Sequence, residues 1–370
     1  MWTLLGSINQ SINQSINQSI NQSIKQARNN DDLTNCNFVK TILMLTVVIY
    51  HAMLFWGGGG WFTGTPVYNS DILRELALCL NYFHVQAFTL VAAYLYCYLR
   101  YERGKYAEFV PFCKNKLQRL IVPYVFVSVL WVVPFSVYFF DFSMKDVFIK
   151  YVLATSPSQL WFVWMLFDVF LLAWIVSDKL YASNKFAVFM TLFLLLMGII
   201  GGKLFSNVFC IWTACRYFIY FVIGFKIRQY GMGTVQRISP ILWILLYVLL
   251  YVLMIYAGDY GGVLGKNLKP LLSIIVSTTG AVMAFVVLME LAGKVAWQNN
   301  KYFMAFSKKT MPIYLLHQQL IYVSISLFNG EMNPYFNAAV NVAVALLGSY
   351  SFIFVLYKSC NIRKLMGEKQ

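Results

Sequence analysis

The chain has 370 residues, of which 60% are hydrophobic and only 12% are charged, and its mean hydropathy is +0.64. These values lie far outside the range of soluble globular domains and indicate a polytopic membrane protein. The net charge of +15 is also compatible with nucleic-acid binding, but the distribution of the basic residues along the chain argues against that function.

Apolar runs long enough to cross the ~30 Å hydrocarbon core predict about ten transmembrane helices. We therefore expect an all-α fold, a polytopic membrane helix bundle. The fifth and sixth runs are the shortest. The predicted spans are 38–56, 79–99, 120–140, 159–176, 186–200, 212–226, 241–257, 271–291, 311–328 and 338–357.

Lysine and arginine residues concentrate in every second loop. If both termini are cytoplasmic, 22 of these residues fall on the cytoplasmic side and six on the outer side, and Arg216 lies at the outer end of the sixth span. This asymmetry follows the positive-inside rule. It predicts cytoplasmic termini and, for a bacterial protein, a location in the inner membrane.

Three regions are predicted along the chain: a low-complexity cytoplasmic tail at 1–36, a membrane domain at 37–357 and a short basic cytoplasmic tail at 358–370. Residues 7–26 read SINQ four times and then SIKQ. A run of the tetranucleotide CAAT encodes Gln-Ser-Ile-Asn, so we infer a simple-sequence tract whose length changes shift the reading frame. Such phase variation is characteristic of bacterial genes that modify surface glycans. A spacer at the protein level is the alternative, and the codons of the gene would decide between them.

The first span contains two ionisable side chains, and such groups inside the bilayer are functional candidates because they are costly there. Lys40 lies near the start of the span and His51 well inside it. Eleven residues correspond to about 16 Å along a helix, so one long ligand could touch both. A neutral imidazole can take a proton from a hydroxyl near pH 7, which makes His51 a candidate general base.

Two other segments near the membrane carry candidate residues. His84 in the second span is predicted at a depth similar to that of His51, although a capped interfacial histidine is the alternative. Lys116 and Arg119 share one helix face shortly before Pro123. Such a pair suits a polyphosphate ligand, while the alternative is a loop that only follows the positive-inside rule.

Later spans carry the remaining candidates for the site. Asp168 lies near the middle of the fourth span, where it could form an interhelical hydrogen bond or take part in catalysis. His317 is followed by Gln318 and Gln319 in the ninth span, so part of that helix is expected to face the bundle interior, with glutamine-mediated packing as the alternative. The seven cysteines show no metal-ligand spacing, and no metal site is predicted.

Five short motifs follow one another in an order typical of one family of membrane enzymes. They are Lys40 with His51 eleven residues later, Lys116-Leu117-Gln118-Arg119 followed by Pro123-Tyr124, Leu160-Trp161-Phe162-Val163, Tyr220-Phe221-Val222-Ile223-Gly224, and Tyr314-Leu315-Leu316-His317. Together they resemble the integral-membrane acyltransferase-3 family, whose members O-acylate sugars of bacterial surface polysaccharides. The resemblance extends from about residue 37 to 357. Two departures are a lysine at position 40 where the family has arginine, and Ala92-Ala93 where it has Ser-Gly.

The resemblance implies an O-acetyltransferase that uses acetyl-CoA as a co-substrate from the cytoplasmic face, with no tightly bound cofactor. Lys40, Lys116 and Arg119 would then bind the CoA nucleotide, and the candidate catalytic residues are His51, Asp168 and His317. The implied acceptor is a sugar hydroxyl of lipopolysaccharide, lipooligosaccharide or capsule. A covalent acetyl-histidine intermediate is an alternative to direct transfer. A multi-span transporter or flippase of a glycolipid or small solute is the competing class, and it would not bind CoA.

Overall fold

The computed structural model describes residues 32–57, 64–259 and 263–368. Throughout these ranges the regular structure is helical, with no strand, in agreement with the predicted all-α fold. The SINQ repeats at 7–26 lie outside the described residues, and the division into tails and membrane domain stays a prediction.

Ten helices within the described ranges are long and apolar enough to cross a membrane, which confirms the predicted number of spans. They are α1 (Asp32–Gly57), α2 (Asp71–Glu102), α3 (Phe109–Phe140), α4 (Ser158–Ala182), α5 (Asn184–Leu204), α6 (Val208–Tyr230), α7 (Pro240–Ala257), α8 (Leu268–Lys294), α9 (Thr310–Phe328) and α10 (Pro334–Leu356). Four short α-helices lie in the described connections and after α10: Met144–Val147, Gly233–Gln236, Lys301–Ser307 and Cys360–Leu365. The cytoplasmic position of both termini stays a prediction.

α2 and α3 begin about two or three turns before the starts predicted from hydropathy. Their first turns contain polar and charged residues, which an apolar window excludes. The Ser70 side chain caps α2 by accepting a hydrogen bond from the Leu73 backbone N–H, a common way to satisfy the first N–H groups of a helix. The hydropathy pattern therefore located the apolar centre of each helix and missed its polar start.

The ten helices differ in how much of their surface is buried within the bundle. Of the apolar window of α9, 67% is buried, whereas for α7 the value is 17%. The buried share of α5 and α10 is similarly small. In α1, α2, α4 and α6, at least half of the apolar window is buried. Most of the buried polar side chains lie on the more buried helices, although α10 buries Asn337, Asn341 and Ser349, and the outer helices present mainly leucine, valine and phenylalanine to lipid.

Two π-helical turns interrupt α3, at Leu117–Ile121 and Ser128–Val132. Each turn comes directly before a segment that has a proline in its first two positions, Pro123 and Pro134 respectively. Proline has no backbone N–H, so a carbonyl in the preceding turn loses its usual partner. Wider turns at these points accommodate that loss within one continuous membrane helix.

A charged cluster joins three central helices at one end of the bundle. The Arg228 guanidinium on α6 donates to both carboxylate oxygens of Glu102 on α2, at 2.6 and 2.7 Å, and to Asp32 on α1 at 3.2 Å. The Tyr94 hydroxyl on α2 donates to the same Asp32 carboxylate at 3.0 Å. Because these charges are partly buried and paired, the ends of α1, α2 and α6 are fixed relative to one another.

A close helix contact in the centre lies between α2 and α6. Gly224 on α6 packs against the backbone of Leu90 on α2, and a Cβ atom at this glycine would overlap the Leu90 carbonyl oxygen. The two helices therefore approach each other closely near Ala92-Ala93, the departure from the family pattern. The contact depends on the missing side chain of Gly224.

Gly224→Ala should lower the free energy of unfolding by about 1–3 kcal/mol, because the added methyl group forces α2 and α6 apart. The measurement is the thermal midpoint of the purified protein in detergent. Gly293→Ala on α8 is the matched control, since nothing lies within 4 Å of a Cβ atom there and alanine favours a helix. Equal midpoints for the two variants would contradict the close contact.

Candidate active site

All three histidines of the chain lie together in the centre of the bundle. The His317 Nε2 atom on α9 lies 3.0 Å from the His51 Nδ1 atom on α1. The Tyr50 ring contacts both the His51 ring and the His84 ring, with centroids 4.8 and 5.0 Å apart. His84 therefore lies beside the pair, in agreement with the similar depth predicted for it and His51.

The hydrogen bonds of the histidine pair determine its tautomers. The His317 Nδ1 atom lies 2.7 Å from the carbonyl oxygen of Tyr314, which can only accept, so this nitrogen carries a proton. In neutral His317 the Nε2 atom is then an acceptor, and the His51 Nδ1–H group donates to it. His51 is left with Nε2 as its unprotonated, basic nitrogen.

Hydrogen bonds from two other helices hold α9 in register around His317. At the start of α4, the buried Gln159 side chain donates to the Gln319 side chain at 2.7 Å and to the Leu315 carbonyl at 3.0 Å. The Tyr314 hydroxyl donates back to the Gln159 carbonyl, and the Trp131 indole on α3 donates to a further α9 carbonyl at 3.1 Å. These hydrogen bonds between buried groups fix the rotation of α9.

A cavity of about 340 Å³ reaches His51 from one end of the bundle. α1, α3, α4, α9 and the 141–157 connection all contribute to its walls. Most of its polar groups are hydroxyls and amides, and Lys150 supplies a cation. Besides Tyr50 and His51, the lining includes Ser136, Phe140, Phe142, Lys150, Tyr151, Ser156, Ser158, Gln159, Trp161, Gln318 and Tyr322.

Hydrogen bonds to α3 hold the 141–157 connection in place over the cavity. The Ser136 hydroxyl donates to the Val132 carbonyl, so it accepts the proton of the Tyr151 hydroxyl, at 2.6 Å. The Tyr151 carbonyl accepts from the Tyr124 hydroxyl, also at 2.6 Å.

Ser158, immediately before Gln159, has a φ of 50°, which is costly for a residue with a side chain. The surrounding contacts maintain that turn, which directs the Gln159 side chain toward α9.

The three cations predicted to bind CoA lie toward the opposite end of α1 and α3. Lys40 is half-buried and lies within electrostatic range of the exposed Arg119 side chain. The Lys116 ammonium is buried over the Phe170 ring, 3.4 Å from its centroid, and also lies 4.9 Å from the Tyr106 ring centroid. The structure therefore brings the predicted cations to one end of the bundle, and none of them lines the cavity at His51.

Asp168 lies in a different part of the centre from the histidines. Its carboxylate is within electrostatic range of the Cys210 and Cys215 thiols of α6. Its Oδ2 atom is buried without a hydrogen-bond partner in the described structure. The structure thus brings His51 and His317 together, as candidate catalytic residues, and leaves Asp168 outside the pair.

Several residues of the site were not identified from the sequence, above all Gln159, Tyr50 and Lys150. Gln159 was assigned to the beginning of a span, and only its position directly before the Leu160-Trp161-Phe162-Val163 motif could have indicated a role. Lys150 was counted as one of the six outer basic residues. The sequence around Gln159 or Lys150 does not indicate which residues each of them contacts in the folded protein.

A comparison with protein families decides the class to which this arrangement belongs. A family model described as an acyltransferase domain, acyltransferase-3, matches residues 34–358, nearly the whole chain. The chain belongs to the acyltransferase-3 family. This match confirms the resemblance inferred from the motifs and favours a membrane acyltransferase over a transporter. No curated protein and no solved structure matches the chain.

The exposure of the histidines in this acyltransferase predicts different reactivities. Diethyl pyrocarbonate, which modifies imidazole, should label His51 at least about tenfold faster than His84 or His317, because His51 lines the cavity and the other two are at most 1% exposed. Peptide mass spectrometry measures the rates. The denatured protein is the control, with similar rates at all three positions. Rapid labelling of His317 in the folded protein would contradict the burial of the pair.

Proposed function

We propose that this acyltransferase moves an acetyl group from acetyl-CoA to a sugar hydroxyl of a cell-surface glycan. The observation that carries the proposal is the His51–His317 hydrogen bond at the inner end of a polar cavity. This arrangement supports the proposal because it leaves a basic imidazole nitrogen at the cavity, where we propose that the alcohol and the thioester meet. Family membership supports the acyl-transfer chemistry.

In the proposed reaction, His51 Nε2 takes the proton of the acceptor hydroxyl as its oxygen attacks the thioester carbonyl carbon. The tetrahedral intermediate collapses, the carbon–sulfur bond breaks, and the CoA thiolate takes the proton from the His51 imidazolium. The products are an O-acetyl ester and CoA. His317 orients the His51 ring and, through its Nε2 lone pair, stabilises the imidazolium form. General-base assistance of this kind contributes about 10²–10⁴-fold to the rate.

The donor is proposed to bind at the end of the bundle that carries Lys40, Lys116 and Arg119. Lysine supplies point charge to a phosphate and arginine supplies a fork of donors. About 16 Å of helix separates Lys40 from His51, a distance suited to an extended pantetheine arm between a nucleotide and its thioester. We propose that this is the cytoplasmic end, where acetyl-CoA is available, because the positive-inside rule predicts that orientation.

The acceptor is proposed to occupy the cavity at the other end. A binding cavity for a sugar needs apolar faces and a few placed polar groups. Trp161 and Phe140 offer aromatic faces there, while Ser156 offers a hydroxyl and Gln318 an amide oxygen that has no hydrogen-bond partner among the described residues. Donor and acceptor would therefore approach His51 from opposite ends of the bundle.

The acceptor class proposed is a sugar of lipopolysaccharide, lipooligosaccharide or capsule, and the membrane is the bacterial inner membrane. The SINQ repeats support this choice through the inferred phase variation, because on–off expression is useful for variable surface epitopes. A glycan from cells with the gene in frame should be heavier than one from out-of-frame cells by one acetyl group.

His51→Ala should lower acetyl transfer by about 10²–10⁴-fold, because the general base is lost. The measurement is radiolabel transferred from acetyl-CoA to the purified glycan by the reconstituted protein. His317→Gln retains a hydrogen-bond acceptor for His51 Nδ1–H and should keep more activity than His317→Leu.

Ile49→Ala is the matched control for this series, since Ile49 lies on α1 and is 36% exposed toward lipid. It should retain normal transfer. Normal transfer by a stably inserted His51→Ala protein would remove His51 from the mechanism. If the wild-type protein neither bound CoA nor transferred acetyl, the acetyltransferase proposal itself would fail.

Lys40→Arg should be tolerated, because arginine keeps the charge and is the residue that the family carries at this position. Lys40→Gln should raise the KM for acetyl-CoA by about tenfold, with little change in kcat, since the lost charge acts on the donor rather than on the reacting atoms. Steady-state kinetics at varied acetyl-CoA concentration separates the two constants. Lys308→Gln is the control for loss of one positive charge, and a KM unchanged in Lys40→Gln would exclude donor binding by Lys40.

A further inference from the structure

A second cavity, of about 350 Å³, lies at the basic end of the bundle, away from the histidines. It is formed where α9 begins, where α10 ends, and along the C-terminal helix Cys360–Leu365. Three cations line it: Lys309, Lys358 and Arg363. Neither the proposed donor site nor the acceptor cavity includes these residues.

The charges around this cavity are only partly balanced. Among the described residues that line it, Glu368 is the one carboxylate, and its oxygen lies 3.9 Å from the Lys309 ammonium. Lys309 also lies over the Tyr357 ring, 3.7 Å from its centroid. Partial burial lowers the pKa of the Lys309 ammonium, and Arg363 adds to this shift while Glu368 opposes it. Converging cations of this kind are stabilised by a bound anion.

The position of the cavity indicates the source of that anion. α10 ends at Leu356 and α9 begins at Thr310, so the cavity lies at the level of the membrane surface. α10 is an outer helix, and Phe354, which lines the cavity, is 68% exposed toward lipid. A basic pocket between helices at this level, with aromatic side chains beside it, suits a lipid headgroup.

We propose that Lys309, Lys358 and Arg363 bind the phosphate group of an anionic phospholipid in the leaflet at the basic end of the bundle. The lipid phosphate would replace Glu368 as the partner of Lys309 and hold the C-terminal helix against α9 and α10. This site is independent of the proposed acetyl transfer.

Binding of phosphatidylglycerol and of phosphatidylcholine to the purified full-length protein tests the proposal, with native mass spectrometry as the readout. The wild-type protein should prefer phosphatidylglycerol by at least about tenfold. The double variant Lys358→Gln/Arg363→Gln should bind phosphatidylglycerol about 25-fold more weakly, since each cation near an anionic lipid contributes about fivefold. Both side chains are exposed, so the fold should be unaffected, with an unchanged thermal midpoint.

The matched control is Lys308→Gln/Lys364→Gln, which removes the same charge from neighbouring positions that do not line the cavity. It should keep the preference for phosphatidylglycerol. Glu368→Gln should strengthen phosphatidylglycerol binding, because the competing carboxylate is removed. Equal weakening in both double variants, or no lipid preference in the wild type, would overturn the proposal.

A nucleotide phosphate is the competing source of the anion, since Gly367 packs against the Arg119 backbone near the proposed donor site. The affinities of CoA and of dephospho-CoA, which lacks the 3′-phosphate, distinguish the two sources. If the cavity is a lipid site, Lys358→Gln/Arg363→Gln leaves the ratio of these two affinities unchanged. Loss of the CoA preference in this variant, with phosphatidylglycerol binding intact, would assign the cavity to the donor and overturn the lipid site.

Discussion

A polar side chain placed in hydrocarbon needs a protein partner, and the centre of this bundle is organised by that requirement. His51 and His317 bond to each other, and the carbonyl of Tyr314 fixes the tautomer of the pair. Gln159 and Gln319, the latter two residues after His317, bond to each other. Because these hydrogen bonds join groups within the bundle, they hold α1, α4 and α9 in one relative arrangement and leave a basic nitrogen at a defined depth.

The remaining helices divide into those that support this centre and those that separate it from lipid. The contact of Gly224 with the Leu90 backbone brings α6 against α2, and Arg228 ties the same helices to α1 through Glu102 and Asp32. α5, α7 and α10 contribute little to the buried interior. A rigid centre with a lipid-facing perimeter allows substrates to approach along the bundle axis while the reactive groups stay fixed.

The two ends of the bundle differ in chemistry. One end carries Lys40, Lys116 and Arg119, and the other carries a cavity with hydroxyl, amide and aromatic groups beside a single lysine. This difference between the two ends suits the proposed reaction, in which a polyphosphate donor and a hydroxyl acceptor would meet in the middle of the bundle. Asp168, buried with a carboxylate oxygen that has no partner in the described structure, lies apart from this axis, although its position in α4 made it a candidate from the sequence.

The sequence by itself determined the ten apolar helices, the asymmetry of basic loops and the family motifs, because these are local patterns of hydropathy, charge and spacing. It also identified His51 and His317, since any ionisable group in an apolar span stands out. Only the tertiary structure paired them across 266 positions of the chain and brought Gln159 of α4 into hydrogen-bond contact with α9. It also separated Asp168 from the pair, because the rotation of each helix about its axis depends on its neighbours and not on its own sequence.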